Sequence, residues 1–439
     1  MTFLNEESWD LDKCVAHLRE MFAFLQRWKW LVTVRPIDIV VSRTLDEHAA
    51  LLDFLAKIPL DKQKRILLGY YEDSWPVELK ELIVESTSVV PAVPDLFSRN
   101  VPGKGTISKK DHETSRLSSL VCRICREMQP KGIVDVGSGL GYVDRVLCES
   151  IEGCSILAIE SEEARCTTAH ALNRNVGFGD RIVQVPRKLF SDNVHEMAEI
   201  VTETFDNSSC LIALHACGDL SLTSLKLFEV TPSLQSAVVV PCCYHKMAPC
   251  SKNEFDNFPC SEALKWTIAD DRDLCCVSFL RLAAESSREM WLNRDPAQWA
   301  RHARSVAYRA LVQSYQENRN IVFRKRKRKA VKSKSTESWS DYAACWAKNT
   351  QAVEPNGTEL NEETVENELK GFCTEEQASI LVSKTLGYNT LRNVAQNVAE
   401  LFVLVDRLTS LKEQNYDCSL ARIADSAVSP RSVAIIVEK

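Results

Sequence analysis

Two short stretches of this chain concentrate side chains that can do chemistry. "LHACGDL" carries His215, Cys217 and Asp219, and "PCCYHKM" carries Cys242, Cys243, Tyr244 and His245. Thiolates and imidazoles are borderline-soft ligands that suit zinc or an iron–sulfur centre. Neither H-x-C nor C-C-x-H, however, matches the separation of roughly two to four residues in an ordinary zinc knuckle. The sequence is therefore read as holding no metal. A bridge between the adjacent cysteines would be strained and would need an oxidising compartment. The reading that remains is a metal-free active-site wall. His215 or His245 orients or deprotonates a nucleophilic substrate atom, Asp219 sets the protonation of the imidazole, and Cys242, Cys243 and Tyr244 face the substrate. The plainer alternative is that the cysteines are small buried hydrophobes and the histidines satisfied core residues.

A third group lies upstream in "KKDHE", where Lys109, Lys110, His112 and Glu113 cluster; its basic residues could receive a phosphate or a cofactor carboxylate, or the group could simply be a solvated helix N-terminus. Between these groups, "IVDVGSGLGYVDRVL" sets Asp135, Gly137, Gly139 and Gly141 at the junction of an apolar strand and a helix. Glycines belong there because the backbone turns sharply and a ligand must come closer than a β-carbon would allow. A dinucleotide fingerprint G-x-G-x-x-G would need glycine where Tyr142 stands. The observed G-x-G-x-G is the spacing shown by S-adenosyl-L-methionine-dependent methyltransferases. Glu160 ends the next strand, 21 residues after Gly139, where a carboxylate can accept both ribose hydroxyls. It can also be read as a helix-capping acid, and Asp135 as either a ligand-facing or a structural strand-end acid.

The elements that must position these residues follow from periodicity. "GIVDVG", "SILAIE", "RIVQV", "CLIALH" and "SAVVVP" are short β-branched runs alternating with helix-like segments, which predicts an α/β, doubly wound parallel sheet. Ligands of such sheets bind outside the carboxyl ends of the strands, and both cysteine-histidine groups sit at such ends. Residues 1–100 read as a helical N-terminal module, closed by the proline-punctuated "VVPAVPDLFSRNVPGKG". Residues 101–250 form the core, and 251–388 a helical, partly disordered insertion. Residues 389–439 supply a helix and a strand pair.

The chain has 439 residues, 45% of them apolar, enough to bury a core in each of two or three domains. Its net charge of −6 supplies no global attraction to a polyanion, so any nucleic-acid contact must be local. Seventeen cysteines without framework spacing, behind an acidic start, predict a reducing compartment, cytoplasmic or nuclear. "NVAELFVLVDRL" is interrupted by Glu400, Asp406 and Arg407 and is too short to span a bilayer, so no membrane association is expected.

Taken together, "KKDHE", "VDVGSGLGYVDRVL", "LHACGDL", "PCCYHKM" and the terminal "SPRSVAIIVEK" resemble the methyltransferase-like protein 25 family, also called ribosomal RNA adenine dimethylase domain-containing proteins, from about residue 100 to the end. The resemblance implies a Rossmann-like class I methyltransferase core, with Gly137, Gly139, Gly141 and Glu160 at the cofactor. It also implies that the C-terminal strand pair rejoins the core sheet after the insertion. "HACGDL" with "CCYH" is in addition similar to a pattern in tRNA 2'-O-methyltransferases, which implies an RNA-linked site. Adenine N6 dimethylases carry an N-x-P-Y/F tetrad where this chain has "HACG", so a hydroxyl or ring nitrogen is the better acceptor.

"RKRKRK", Arg324, Lys325, Arg326, Lys327, Arg328 and Lys329, reads as a solvated mobile segment, an RNA contact or a nuclear import signal, with Trp339, Tyr342 and Trp346 following it. The expected function is an S-adenosyl-L-methionine-dependent methyltransferase acting on RNA. The alternatives are a non-catalytic scaffold binding a protein partner through its helical additions, and a protein or small-molecule methyltransferase.

Overall fold

Parallel strands need a crossover between them, and strands covered by helices on both faces read as continuous apolar runs. The computed structural model describes residues 9–96, 108–205, 208–251, 254–327, 330–331 and 337–439, and it shows this α/β architecture. Its main sheet contains Gly132–Val136 (β1), Ser155–Glu160 (β2), Ile182–Pro186 (β3), Ser209–Cys217 (β4), Leu234–Cys242 (β5), Asp417–Arg422 (β6) and Val433–Glu438 (β7). The strand order is β3-β2-β1-β4-β5-β7-β6. The first five strands are parallel, and β7 runs antiparallel to both β5 and β6. All five residues of β1 are buried. Helices Lys109–Met128, Tyr142–Ser150, Glu163–Asn175, Val194–Thr204 and Leu220–Val230 flank the strands.

The chain winds outward from β1 to β3 and then returns to start β4 on the other side of β1. That reversal leaves a crevice at the carboxyl ends of β1 and β4, the place where open α/β sheets bind ligands. The fourth strand also carries a bulge: Ala213 and Ala216 pair with Val239 and Pro241, so Leu214 and His215 together face one residue of β5. The extra residue re-aims His215, whose φ is +59°.

Two compact units divide the chain, one drawn from residues 1–27, 88–290 and 396–439 and the other from 28–87 and 291–395. The expected helical N-terminal module is thus shared between them, and so is the insertion, because a unit is defined by what packs together rather than by contiguity. The first unit contains the sheet and helix Leu11–Arg27. Helix Glu375–Glu413 is 39 residues long and supplies residues to both units. Among the described residues, no helix is long and apolar enough to cross a membrane. Glu400, Asp406 and Arg407, which interrupt its apolar stretch, are buried. Asp406 accepts the Cys260 and Ser261 amides at 2.8 and 2.9 Å, and Arg407 donates to the Val403 carbonyl at 3.0 Å.

The second unit has a core rich in aromatics, with Tyr308, Tyr315, Trp339 and Tyr342 buried. Trp339 and Tyr342 are therefore packing residues, with little surface left for stacking on bases. The basic run also departs from a fully solvated segment. Val322–Lys325 is a strand paired antiparallel with Thr350–Val353, and Arg326 meets the Glu362 carboxylate at 2.5 Å. Alternation explains it: Phe323 turns in toward this core while its neighbours Val322 and Arg324 point away and are exposed. Arg328 and Lys329 lie outside the described residues.

Candidate active site

The glycine loop follows β1 in the conformation its sequence demands. Gly137, Gly139 and Gly141 have φ of +80°, +61° and +66°, a region costly for residues with a β-carbon. The amides of Gly137 and Ser138 donate to the Ile159 carbonyl at 2.8 and 3.2 Å, which ties the loop to β2. A β-carbon on Gly139 would meet open space, so only the backbone conformation and an incoming ligand require glycine there.

Glu160, at the end of β2, is buried and accepts the Gly139 amide at 3.0 Å, the Glu162 amide at 2.9 Å and the Ser161 hydroxyl at 3.1 Å. A carboxylate offers about four acceptor positions, so one is left for a ribose hydroxyl. The loop borders a cleft of about 420 Å³, lined among others by Lys110, Glu113, Asp135, Tyr142, Arg165 and His215. That volume lies within the roughly 300–1,000 Å³ of small-molecule sites. An open glycine cradle, a strand-end acid beside it and a cleft of this size together fit S-adenosyl-L-methionine.

Beneath the loop, Asp135 and Asp144 are both buried, and neither Asp144 oxygen has a donor partner. Burial and the neighbouring acid raise the Asp135 carboxyl well above its usual range, and burial pushes Asp144 up to about 6. Two facing carboxyls without a donor between them must share a proton. A raised carboxyl contributes stability below its unfolded value of about 3.9, and that contribution is lost as pH rises through its folded value, here about 6. Asp144→Asn removes one titrating partner. Its melting temperature relative to the native chain is therefore expected to rise between about pH 4 and about pH 7 in calorimetry. A difference that stays flat or falls would refute the shared proton.

His215 reaches the cleft, but its partner is not Asp219. Its Nε2 lies 2.9 Å from the Glu113 Oε2, and Glu113 is held in turn by the Ser429 hydroxyl at 2.5 Å and by Lys109 at 3.5 Å. The Cys242 thiol and the Glu113 carboxylate against its ring push His215 up to about 9. Burial works against ionisation of Glu113, but hydrogen bonds from His215 and Ser429 hold its carboxyl below the usual value. The cleft wall therefore presents an imidazolium–carboxylate pair, where a neutral base had been expected. Asp219 instead accepts the Ala248 amide at 2.9 Å and the Asn257 side chain at 2.8 Å, fastening the segment after β5.

The other expected site residues separate. Lys110 lines the cleft with its ammonium over the Tyr142 ring, and Lys109 serves Glu113. His112 accepts the Asp425 amide at 3.1 Å, a structural role that suits an imidazole kept neutral by burial. Tyr244 is fully buried, with the Arg407 and Arg431 guanidinium groups 5.4 and 6.0 Å from its ring centre, and does not face the cleft. His245 does not line the cleft either; it sits in the turn Tyr244–Lys246 with its Nδ1 buried and unpartnered. Cys242 and Cys243 are half-buried, their sulfurs 3.4 Å apart. Asp144, Tyr142 and Arg165 were not expected at the site, and Glu113 was expected only as a member of the upstream cluster, without a role. Only that placement inside "KKDHE" signalled it.

The sheet order, the reversed last strand and the glycine loop at the crevice define a class I methyltransferase fold. A family model described as a methyltransferase domain matches residues 109–250, which span the loop, β4 and β5. Residues 109–250 thus carry a methyltransferase domain. It is similar to the human "probable methyltransferase-like protein 25", with 24% identity over 258 residues, 56% of this chain and 39% of that protein. The mouse protein of that name is also 24% identical, over 53% of this chain and 38% of its own length. The chain thus spans about two fifths of the curated relatives it matches. Among solved structures, the plantazolicin methyltransferase BpumL in complex with SAH is 10% identical, covering 60% of this chain and 79% of its own, with a TM-score of 0.24. The Streptomyces coelicolor geranyl diphosphate C-methyltransferase is 11% identical over 38% of this chain and 66% of its own, with a TM-score of 0.22. The match to a methyltransferase domain and the fit of the cleft make S-adenosyl-L-methionine the cofactor.

Proposed function

We propose that this chain uses S-adenosyl-L-methionine to methylate RNA. The observation that carries the cofactor part is the Gly137–Gly141 loop opening into the cleft beside Glu160. The bound cofactor would supply an electrophilic methyl group on its sulfonium. Glu160 would take a ribose hydroxyl, the Gly139 backbone would lie against the ligand, and the buried Asp135 would close the floor of the site. Lys110 and the Glu113–His215 pair line the same cleft and would orient an acceptor there.

The RNA part is supported by the similarity of "HACGDL" and "CCYH" to the tRNA 2'-O-methyltransferase pattern, and by Arg324, Lys325 and Lys327, which are exposed. A cluster of this kind contributes sequence-independent, salt-dependent affinity for phosphate backbones. These residues fit a polyanion contact better than an import signal alone, because Arg324 and Lys325 are held on a paired strand.

The decisive measurement has two stages. Titration calorimetry with S-adenosyl-L-methionine should show saturable binding that is lost in Gly139→Arg, which puts a long side chain into the cleft on a left-handed backbone position. Identical traces for both proteins would end the proposal at its first step. The native chain is then incubated with methyl-labelled cofactor and cell extract. Label that disappears with ribonuclease supports RNA, whereas label that disappears with protease points to a protein acceptor. A second reading, a non-catalytic scaffold, draws on the three protein donors that already engage Glu160. Cofactor binding without transfer to any fraction would favour it.

A further inference from the structure

Sequence spacing argues against a zinc knuckle at either cysteine-histidine group, but that rule concerns ligands on one loop. The tertiary structure gathers thiols from two strand ends instead. Cys217 and Cys242 are register partners at the ends of β4 and β5, and Cys243 follows directly. The three sulfur atoms lie within 4.8 Å of one another, and among the described residues this is the sole group of three such donors to meet that limit. In a tetrahedral zinc thiolate centre, sulfurs about 2.3 Å from the metal stand roughly 3.8 Å apart. The 3.4 Å separation of the Cys242 and Cys243 sulfurs already approaches that spacing.

The backbone is bent to make this meeting possible. Cys243 has a φ of +48°, a left-handed conformation unfavourable for a residue with a β-carbon. Gly218 is also left-handed, at +58°, and a β-carbon there would lie 2.8 Å from the Lys246 carbonyl oxygen. The turn after Cys243 therefore folds directly over Gly218, whose amide donates to the Cys242 carbonyl at 2.9 Å. Simple packing of small apolar thiols would not require either residue to hold this conformation.

We propose that Cys217, Cys242 and Cys243 form a binding site for a borderline-soft divalent cation, zinc in the first instance. The three thiols would each release a proton to solvent and bind through sulfur, leaving the fourth tetrahedral position to water or an exogenous ligand. Three protein ligands with one open position is the arrangement of reactive rather than purely structural zinc sites. Its place beside His215, whose ring contacts the Cys242 thiol, puts the ion next to the cleft wall. The proposal stands independently of RNA as the acceptor and of methyl transfer itself.

The test uses the full chain, stripped of metal under reducing conditions and titrated with Co²⁺ and then Zn²⁺. The expected result is one equivalent of Co²⁺ giving an intense thiolate-to-cobalt charge-transfer band sized for three sulfurs, abolished by one equivalent of Zn²⁺. Cys217→Ala, Cys242→Ala and Cys243→Ala should each weaken Zn²⁺ affinity by at least about 100-fold, since even removal of an outer-shell partner costs about 10- to 100-fold. Cys250→Ala, at an exposed position outside the cluster, should leave it unchanged. Absence of the charge-transfer band in the native chain overturns the proposal whether or not the alanine variants fold. So does a band that persists undiminished in folded triad variants.

Discussion

Glu113→Ala is expected to lower the rate of labelled methyl transfer by about 100-fold and the free energy of unfolding by about 2–3 kcal/mol. Glu113 lines the cleft, and its two oxygens join three separate parts of the chain: helix Lys109–Met128, the bulge of β4 at His215 and the C-terminal segment at Ser429. Truncation leaves a cation without its counter-charge and leaves the buried Ser429 hydroxyl only the Arg431 carbonyl, 3.1 Å away, as acceptor. The cost falls below the roughly 3–5 kcal/mol of a fully buried pair, because the His215 side chain is 34% exposed and water covers part of its charge. Glu113→Gln keeps the shape and the Ser429 contact, so it should retain most of the stability while losing most of the rate. Urea denaturation and initial rates on the two variants separate these effects. Unchanged rates in both would remove the ion pair from the active site.

A second large effect is expected at a residue that does not itself line the cleft. Arg431 is 4% exposed, lies 2.6 Å from the Glu400 Oε1 and donates to the Ala283 carbonyl at 2.6 Å. Glu400 is itself buried and also accepts Gln396 at 3.0 Å. Arg431→Met preserves much of the packing but strands a buried carboxylate, so it should cost about 3–5 kcal/mol in urea denaturation. Burial already raises the Glu400 carboxyl, and loss of the cation that opposes this raises it further. The variant can then relieve its penalty by taking up a proton, so its deficit should be smaller at low pH than at neutral pH. A double variant, Arg431→Met with Glu400→Leu, should recover part of the loss. A deficit below about 1 kcal/mol for Arg431→Met would mean that this pair holds little of the fold together.

The legible parts of this protein are those where chemistry is local. "GIVDVG" and its four companions read as parallel strands because both faces of such strands are covered, which makes the apolar pattern continuous. Gly137, Gly139 and Gly141 read as a ligand-cradling turn because no other residue adopts those angles cheaply. Less legible was the basic run. Its charges pointed to solvent, while the single Phe323 anchored that segment into an aromatic core and made Val322–Lys325 a strand. Partners of the titratable groups were hidden for a different reason. Asp219 is four residues from His215 in sequence, yet the carboxylate that meets the imidazole is Glu113, 102 residues away.

The sequence by itself determined the fold class, the strand that carries the cofactor loop and the edge of the sheet where ligands bind, because these follow from periodicity and from glycine conformations written residue by residue. Only the tertiary structure decided which side chains share that edge. It kept His215 in the cleft, left His245, His112 and Tyr244 to other surroundings, and brought Cys217, Cys242 and Cys243 together. The physical reason is that strand order, a one-residue bulge and two left-handed turns set where side chains point. Each of these depends on contacts between segments distant in the chain.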